Sequence, residues 1–261
     1  MVLYYDPPTS EKLEQALAMI DFALWDSLLH KYVDKLGRVD YHAWKQQQPQ
    51  TLANWLSTLE SLEDITSQLT HNQQLALWIN LYNAFTISTI LERYPLASIR
   101  PVVLGIPNWI AFLWFFQRRV YRFSNQTYSL GQIENQKLRS PAGALALSHL
   151  QEPRIHFALV CASVGCPLLR NEAYTPEKVI EQLDSDAERF INNPDKVRYD
   201  AQTQTLYCSK IFKWYRQDFL KVADSIPDYI RSYLKPNTPL SASTSIIYLD
   251  YDWSLNQRIS S

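Results

Sequence analysis

The sequence has few cysteines and no excess of either charge. It contains three cysteines, Cys161, Cys166 and Cys208, and an odd, sparse set argues against a secreted protein built on disulfides. The three thiols are therefore expected to be free. The 25 lysines and arginines nearly balance the 26 aspartates and glutamates, so a broad basic surface for nucleic acid or for an anionic membrane is not expected.

The pattern of a secretory leader or of a membrane span is also lacking. The first residues, Met-Val-Leu-Tyr-Tyr-Asp-Pro-Pro, lack a basic start and an unbroken apolar run, which predicts a cytoplasmic protein. The most apolar stretch, Pro101 to Phe116, contains Gly105 and Pro107 and is shorter than the roughly 20 residues that cross a bilayer. It is interpreted as a buried or ligand-facing loop with a short helix. The alternative is an exposed aromatic patch, from Trp109 to Phe116, that contacts a partner or a membrane.

The length and the patterning predict a single domain. The 261 residues, 46% of them hydrophobic, are ample for one substantial core, and no repeat or linker divides residues 1–261. Helical periodicity covers residues 10–32 and 175–192, and hairpins are predicted near residues 120–129 and 197–208. The fold class is therefore predicted as α+β, helix-rich with a small antiparallel sheet.

Residues 75–94 form the most hydrophobic helix candidate, which ends before Pro95. Apolar residues on nearly every side predict a central, buried helix. Asn80 and Asn83 stand out within it, because a buried amide needs hydrogen-bond partners. One interpretation is that they anchor neighbouring backbone; the other is that an amide stabilises an oxyanion or orients a catalytic group.

The segment that carries candidate chemistry runs from Arg154 to Pro167. Residues 155–161 are predicted as a buried strand, which would place His156 and Cys161 on opposite faces because they are five residues apart. Strand geometry does not separate Cys166 from His156, since residues 162–165 can turn the chain back and Pro167 can begin a helical turn. A thiol at a helix start has a lowered pKa. Cys166 is therefore the predicted nucleophile and His156 its general base, with Cys161 as the rival nucleophile.

Two carboxylates are candidates to orient the imidazole of His156. Glu134 is preferred because it lies beside apolar Ile133 on a helix capped by Ser129 and Gln132, whereas Glu172 lies in a polar stretch. The alternative role for Glu134 is an ion pair with an arginine. A zinc site formed by the histidine and the three cysteines is disfavoured, because their spacing lacks the short knuckles of such sites.

Several motifs in one order resemble the family catalogued as domain of unknown function 547. The resemblance extends from about residue 25 to residue 256. The motifs are Gly37-Arg38-Val39-Asp40-Tyr41, Trp78-Ile79-Asn80-Leu81-Tyr82-Asn83-Ala84, the segment from His156 to Pro167, Ser209-Lys210-Ile211-Phe212, Asp218-Phe219 and Tyr248-Leu249-Asp250-Tyr251-Asp252-Trp253. The resemblance implies a core of papain-like or transglutaminase-like kind, in rearranged order because histidine precedes cysteine here. It supports His156, a cysteine of the same segment and Glu134 as a third member.

The sequence thus predicts a cysteine-dependent hydrolase or acyl transferase with no cofactor and no metal. Cys166, His156 and Glu134 are the predicted catalytic residues, and Asn80 or Asn83 is predicted to support the oxyanion. The expected partner is a peptide-like or small amide or thioester substrate. The alternative is a non-catalytic interaction scaffold that docks through the aromatic patch between Trp109 and Phe116.

Overall fold

The computed structural model describes residues 20–100, 102–103, 106–108, 110, 115–139, 152–234 and 239–258. The α-helices are α1 (Ala23–Tyr32), α2 (Tyr41–Gln47), α3 (Thr51–Thr58), α4 (His71–Arg93), α5 (Leu130–Gln132), α6 (Val179–Ile191), α7 (Ile211–Trp214), α8 (Arg216–Phe219) and α9 (Ile226–Arg231). Thr66–Gln68 and Pro153–Phe157 are 3₁₀ helices, and Ile133–Leu138 is a π-helix. The strands are β1 (Val102–Val103), β2 (Ile106–Pro107), β3 (Tyr121–Phe123), β4 (Gln126–Tyr128), β5 (Val197–Asp200), β6 (Thr205–Cys208) and β7 (Ser245–Tyr248).

Helix α4 is the centre of the fold, as its uniform hydrophobicity predicts. It begins with a capping box in which Thr70 and Gln73 each bond the other's backbone N–H. The helix packs against α2, α3, α6 and the π-helix, so residues on nearly all of its sides are buried. Among the residues that the structure describes, no helix combines the length and the apolar character needed to cross a bilayer.

Short sheets accompany the helices, and the α+β class is confirmed at that level. The two predicted hairpins are present as β3–β4 and β5–β6, both antiparallel. Strand β7, however, pairs in parallel with β6, so the three-stranded sheet is mixed and not purely antiparallel. The chain passes through α7, α8 and α9 between these two strands, which lets it return in the same direction.

The strand predicted over residues 155–161 does not form: residues 155–157 end the 3₁₀ helix Pro153–Phe157, and residues 158–161 lie in neither a helix nor a strand. Proline fixes a helical φ at the first position, and the Glu152 side chain caps the start by accepting from the Arg154 N–H at 3.1 Å. Ile155 packs in the cluster around α4, whereas Phe157 packs in a second cluster with residues of α6, α7 and α8. The intervening His156 therefore lies where the two clusters meet.

Candidate functional site

His156, both cysteines of the predicted site and Glu134 line one cavity of about 510 Å³. This volume is in the range of small-ligand pockets. One wall is aromatic and contains Tyr215, Trp214, Tyr251 and Trp253. Since Trp214 is 47% exposed, the cavity reaches the protein surface at that wall.

The imidazole of His156 is held by a carboxylate and a ring. Its Nε2 lies 2.8 Å from Oδ2 of Asp218, and its ring stacks on Tyr215 with centroids 3.8 Å apart. Arg139 donates from Nε to the same Asp218 oxygen at 2.7 Å, and Lys221 lies 3.4 Å from the other oxygen. The histidine side chain is 1% exposed, so its orientation is fixed by the surrounding protein.

The ionisation of His156 and Asp218 determines which ring nitrogen of His156 can accept a proton. Burial raises the pKa of Asp218, but hydrogen bonds from His156 and Arg139 outweigh burial and hold that pKa well below its usual range. Burial lowers the pKa of His156, against the raising effect of Asp218. At neutral pH the ring is therefore neutral beside an ionised carboxylate. A carboxylate only accepts, so Nε2 carries the proton and Nδ1 carries the lone pair.

Asp218, and not the predicted Glu134, is the carboxylate bonded to His156. Glu134 accepts a hydrogen bond from the Tyr215 hydroxyl, whose pKa is raised by burial and by this glutamate. Glu134 thus supports the ring on which His156 stacks. It lies in the π-helix, a rare conformation that is frequent at functional sites. Glu172 is remote from the cavity and pairs with Arg170 at 2.7 Å.

Cys161 and Cys166 form a disulfide with Cα atoms 6.2 Å apart, so the expectation of three free thiols was wrong for this pair. Sequence spacing did not reveal the pairing, because the turn that brings the two sulfurs together depends on contacts with the distant C-terminal segment. Cys208 is free and buried in the second core cluster, where burial raises its thiol pKa to about 12. Two of the four residues of the disfavoured zinc set are thus joined to each other in a disulfide.

The loop from Cys161 to Cys166 is pinned to the C-terminal segment. The N–H groups of Val164 and Gly165 donate to residues 254 and 252 at 2.8 and 2.7 Å. A Cβ on Gly165 would lie 2.8 Å from a backbone oxygen and from the Tyr251 ring, so this close approach requires glycine. Ala162 adopts φ 66°, a strained conformation for alanine. The loop is therefore held in one shape beside the cavity.

The helix start predicted at Pro167 is absent, since residues 167–170 form no helix. Two other donors face the sulfur of Cys166. The backbone N–H of Cys161 donates to Sγ of Cys166 at 3.0 Å, and the hydroxyl of Tyr251 donates to it at 3.2 Å. Burial raises the pKa of Tyr251, which keeps its hydroxyl protonated. These two donors, and not a helix end, are the hydrogen-bonding groups directed at the Cys166 sulfur.

Asn80 and Asn83 both anchor backbone, which was one of their two predicted roles. Asn80 donates to the carbonyl of Tyr174 and accepts from its N–H, at 2.8 and 3.0 Å. Asn83 donates to the carbonyl of Ala158 at 2.9 Å and accepts from the N–H of Val160 at 3.0 Å. Asn83 therefore fixes the chain between His156 and the cysteine loop, and its amide is engaged at both ends.

The aromatic patch predicted between residues 109 and 116 falls largely outside the described residues. Of those that are described, Phe115 is buried, Phe116 lines the cavity and Ile110 is 82% exposed. The two described phenylalanines thus contribute to the core and to the cavity wall.

Asp218 is the residue of the site that sequence reasoning missed. It lies 62 residues after His156, so spacing offers no indication of the pair. The available signal was an acid close to three aromatic residues, Trp214, Tyr215 and Phe219, in a motif that resembles the family.

Residues 66–191 match the model of a family described as "Protein of unknown function, DUF547", so this segment is similar to that family. The matched segment includes Glu134, His156, Cys161 and Cys166, whereas Asp218 lies beyond it. No curated protein and no solved structure gives a significant match. The family description names no activity, so function is argued from the site.

Proposed function

We propose that this protein is a cysteine-dependent hydrolase or acyl transferase acting on an amide or thioester bond through Cys166, His156 and Asp218. The observation that carries the proposal is the bond from Nε2 of His156 to Asp218, beside a cavity that both cysteines also line. Asp218 takes the orienting role for which the sequence favoured Glu134. The proposal includes a papain-like or transglutaminase-like core in rearranged order, with Cys161 as the rival nucleophile.

In the proposed reaction, the Cys166 thiol gives its proton to Nδ1 of His156, and the thiolate attacks the substrate carbonyl carbon. The bond from that carbon to the leaving nitrogen or sulfur breaks, and the leaving group takes the proton from the imidazolium. Water or another nucleophile then cleaves the acyl–sulfur bond and restores the thiol. Asp218 stabilises the imidazolium that exists between these steps.

This chemistry requires the reduced pair of cysteines. In the disulfide the Cys166 sulfur is bonded to Cys161, so it cannot form the thiolate that acts as the nucleophile. Reduction by a dithiol supplies the two electrons and two protons that produce both thiols, while the dithiol itself becomes a disulfide. The oxidised form is therefore the inactive form of the proposed enzyme.

The cavity indicates the size and character of the substrate group. A volume of about 510 Å³ accommodates a small acyl group or one or two amino-acid side chains. The aromatic wall provides apolar contact area for it. The proposed partner is accordingly a peptide-like or small amide or thioester compound.

The identity of the nucleophile is tested with a thiol-directed acylating probe. Protein reduced with dithiothreitol and then freed of it is incubated with an alkyne-tagged acyl thioester, and the label is located by peptide mass spectrometry. We expect one label on Cys166 and none in Cys166→Ala. Cys161→Ala is expected to label without prior reduction, since Cys166 then has no partner for a disulfide.

Cys208→Ala is the matched control, because its thiol is buried in another cluster and its pKa is raised to about 12. It should label as the wild type does. Labelling that persists in both Cys166→Ala and Cys161→Ala contradicts the proposal. Labelling lost in Cys161→Ala and retained in Cys166→Ala assigns the nucleophile to Cys161 instead.

A further inference from the structure

The two sulfurs of the disulfide differ in their surroundings. Cys166 is 3% exposed, whereas Cys161 is half-buried and packs at the edge of the core. An incoming thiolate must approach the sulfur that it attacks along the line of the S–S bond, so access decides which one is attacked. The exposure difference favours attack at Cys161.

The hydrogen bonds around the two sulfurs also favour attack at Cys161. The Cys161 N–H and the Tyr251 hydroxyl both donate to Sγ of Cys166. Near Cys161, the Ser163 hydroxyl lies 3.1 Å from Sγ but donates to the Tyr251 oxygen at 3.3 Å. The Tyr251 hydroxyl lies 3.5 Å from Sγ of Cys161, farther than its 3.2 Å from Sγ of Cys166. Two donors stabilise the negative charge that a departing sulfur acquires, and a sulfur whose anion is stabilised leaves faster. Cys166 is therefore the better leaving group.

We infer that the cavity is a thiol–disulfide exchange site in which small dithiols reduce the Cys161–Cys166 disulfide by attacking Cys161 and not Cys166. The reductant's thiolate attacks Sγ of Cys161, the S–S bond breaks, and Cys166 departs as a thiolate held by the Cys161 N–H and the Tyr251 hydroxyl. The second thiol of the reductant then attacks the mixed disulfide, releasing Cys161 and the oxidised dithiol. The cavity volume limits the reductant to a small molecule.

The exchange would also activate the proposed enzyme, an inference that rests on the proposed function. The sulfur released by attack at Cys161 is the proposed nucleophile, Cys166, and it is released in its ionised form into the cavity that His156 also lines. Reduction would thus produce the active thiolate directly. A small dithiol would regulate acyl transfer by converting the inactive disulfide into the reactive pair.

The direction of exchange is tested with oxidised wild-type protein and glutathione, which lacks a second thiol and leaves a mixed disulfide. Samples are quenched with acid at early times, treated with N-ethylmaleimide and mapped by mass spectrometry. The expected product carries glutathione on Cys161 and maleimide on Cys166. Glutathione found first on Cys166, or a disulfide that glutathione does not open in the folded protein, overturns the inference.

The role of the hydroxyl is tested with Tyr251→Phe, which keeps the ring and removes the donor. The rate of opening by glutathione is expected to fall roughly three- to tenfold. Tyr248→Phe, a half-buried tyrosine on β7, is the control and should react at the wild-type rate. An unchanged rate in Tyr251→Phe contradicts the assignment. The exchange assay contains no acyl compound and is therefore independent of the acyl-labelling experiment. Exchange in the expected direction, together with no acyl labelling of the reduced protein, would reject the proposed function and retain this inference.

Discussion

Asp218→Asn is expected to reduce the rate of acylation by the thioester probe by about 10²- to 10⁴-fold in the reduced protein. The amide that replaces the carboxylate has no charge to stabilise the imidazolium. It also presents an NH₂ group that donates to Nε2 in one of its two orientations, which forces the proton onto Nδ1. His156 then lacks the lone pair with which Cys166 would be deprotonated. The second-order rate constant of labelling, measured by intact mass, reports this loss.

Asp184→Asn is the control for the loss of a negative charge. Asp184 lies on α6 and does not line the cavity; its side chain is 55% exposed and pairs with Arg154 of the 3₁₀ helix Pro153–Phe157. We expect labelling within about twofold of the wild type, since an exposed pair contributes little. An Asp218→Asn rate within about threefold of the wild type, with the fold intact by circular dichroism, would remove Asp218 from the proposed mechanism.

Asp186→Ala is expected to destabilise the protein by about 3–5 kcal/mol. The side chain is fully buried on α6 and accepts from Arg170, Arg189 and the Tyr174 hydroxyl at 3.0, 2.9 and 2.7 Å. Removing the carboxylate deprives Arg170 and Arg189 of a charged partner and the buried Tyr174 hydroxyl of its acceptor, while Arg170 keeps its pair with Glu172. For a chain of this size the melting temperature should fall by roughly 6–20 °C, which differential scanning calorimetry measures.

Asp184→Ala provides a comparison on the same helix, two residues away. Its ion pair with Arg154 is exposed on the carboxylate side, and Arg154 retains its pair with Glu152. The expected loss is at most about 1 kcal/mol. If the two alanine variants unfold at the same temperature, the buried network around Asp186 does not stabilise the fold as described.

The parts of the fold that local signals determine could be predicted. Helix α4, the capping box of Ser129 with Gln132, and the β3–β4 and β5–β6 hairpins follow from periodicity and from short-range turns. The parallel pairing of β7 with β6 could not be predicted, because it depends on the path of three intervening helices. The apolar run over residues 155–161 predicts a strand, but Pro153 and the Glu152 cap start the 3₁₀ helix Pro153–Phe157 there.

The candidate site could be predicted only in part, because sequence patterns report on residues that are close together in the chain. His156 and the two cysteines are close in sequence and line one cavity. Asp218 and Tyr251 reach the site from distant segments, so local spacing carries no information about them. The shape of the cysteine loop likewise depends on hydrogen bonds to residues 252 and 254, and without those contacts the disulfide could not be inferred.

The central claim is that His156 activates the Cys166 thiol. It is tested most directly by the rate at which iodoacetamide alkylates Cys161→Ala protein over about pH 4–10, with and without His156→Ala. Cys161→Ala frees Cys166 and keeps the backbone N–H that faces its sulfur. We predict a midpoint below about pH 7.5 that rises by about one unit or more when His156 is removed. A midpoint at or above the ordinary value of about 8.5, unmoved by His156→Ala, would contradict the claim.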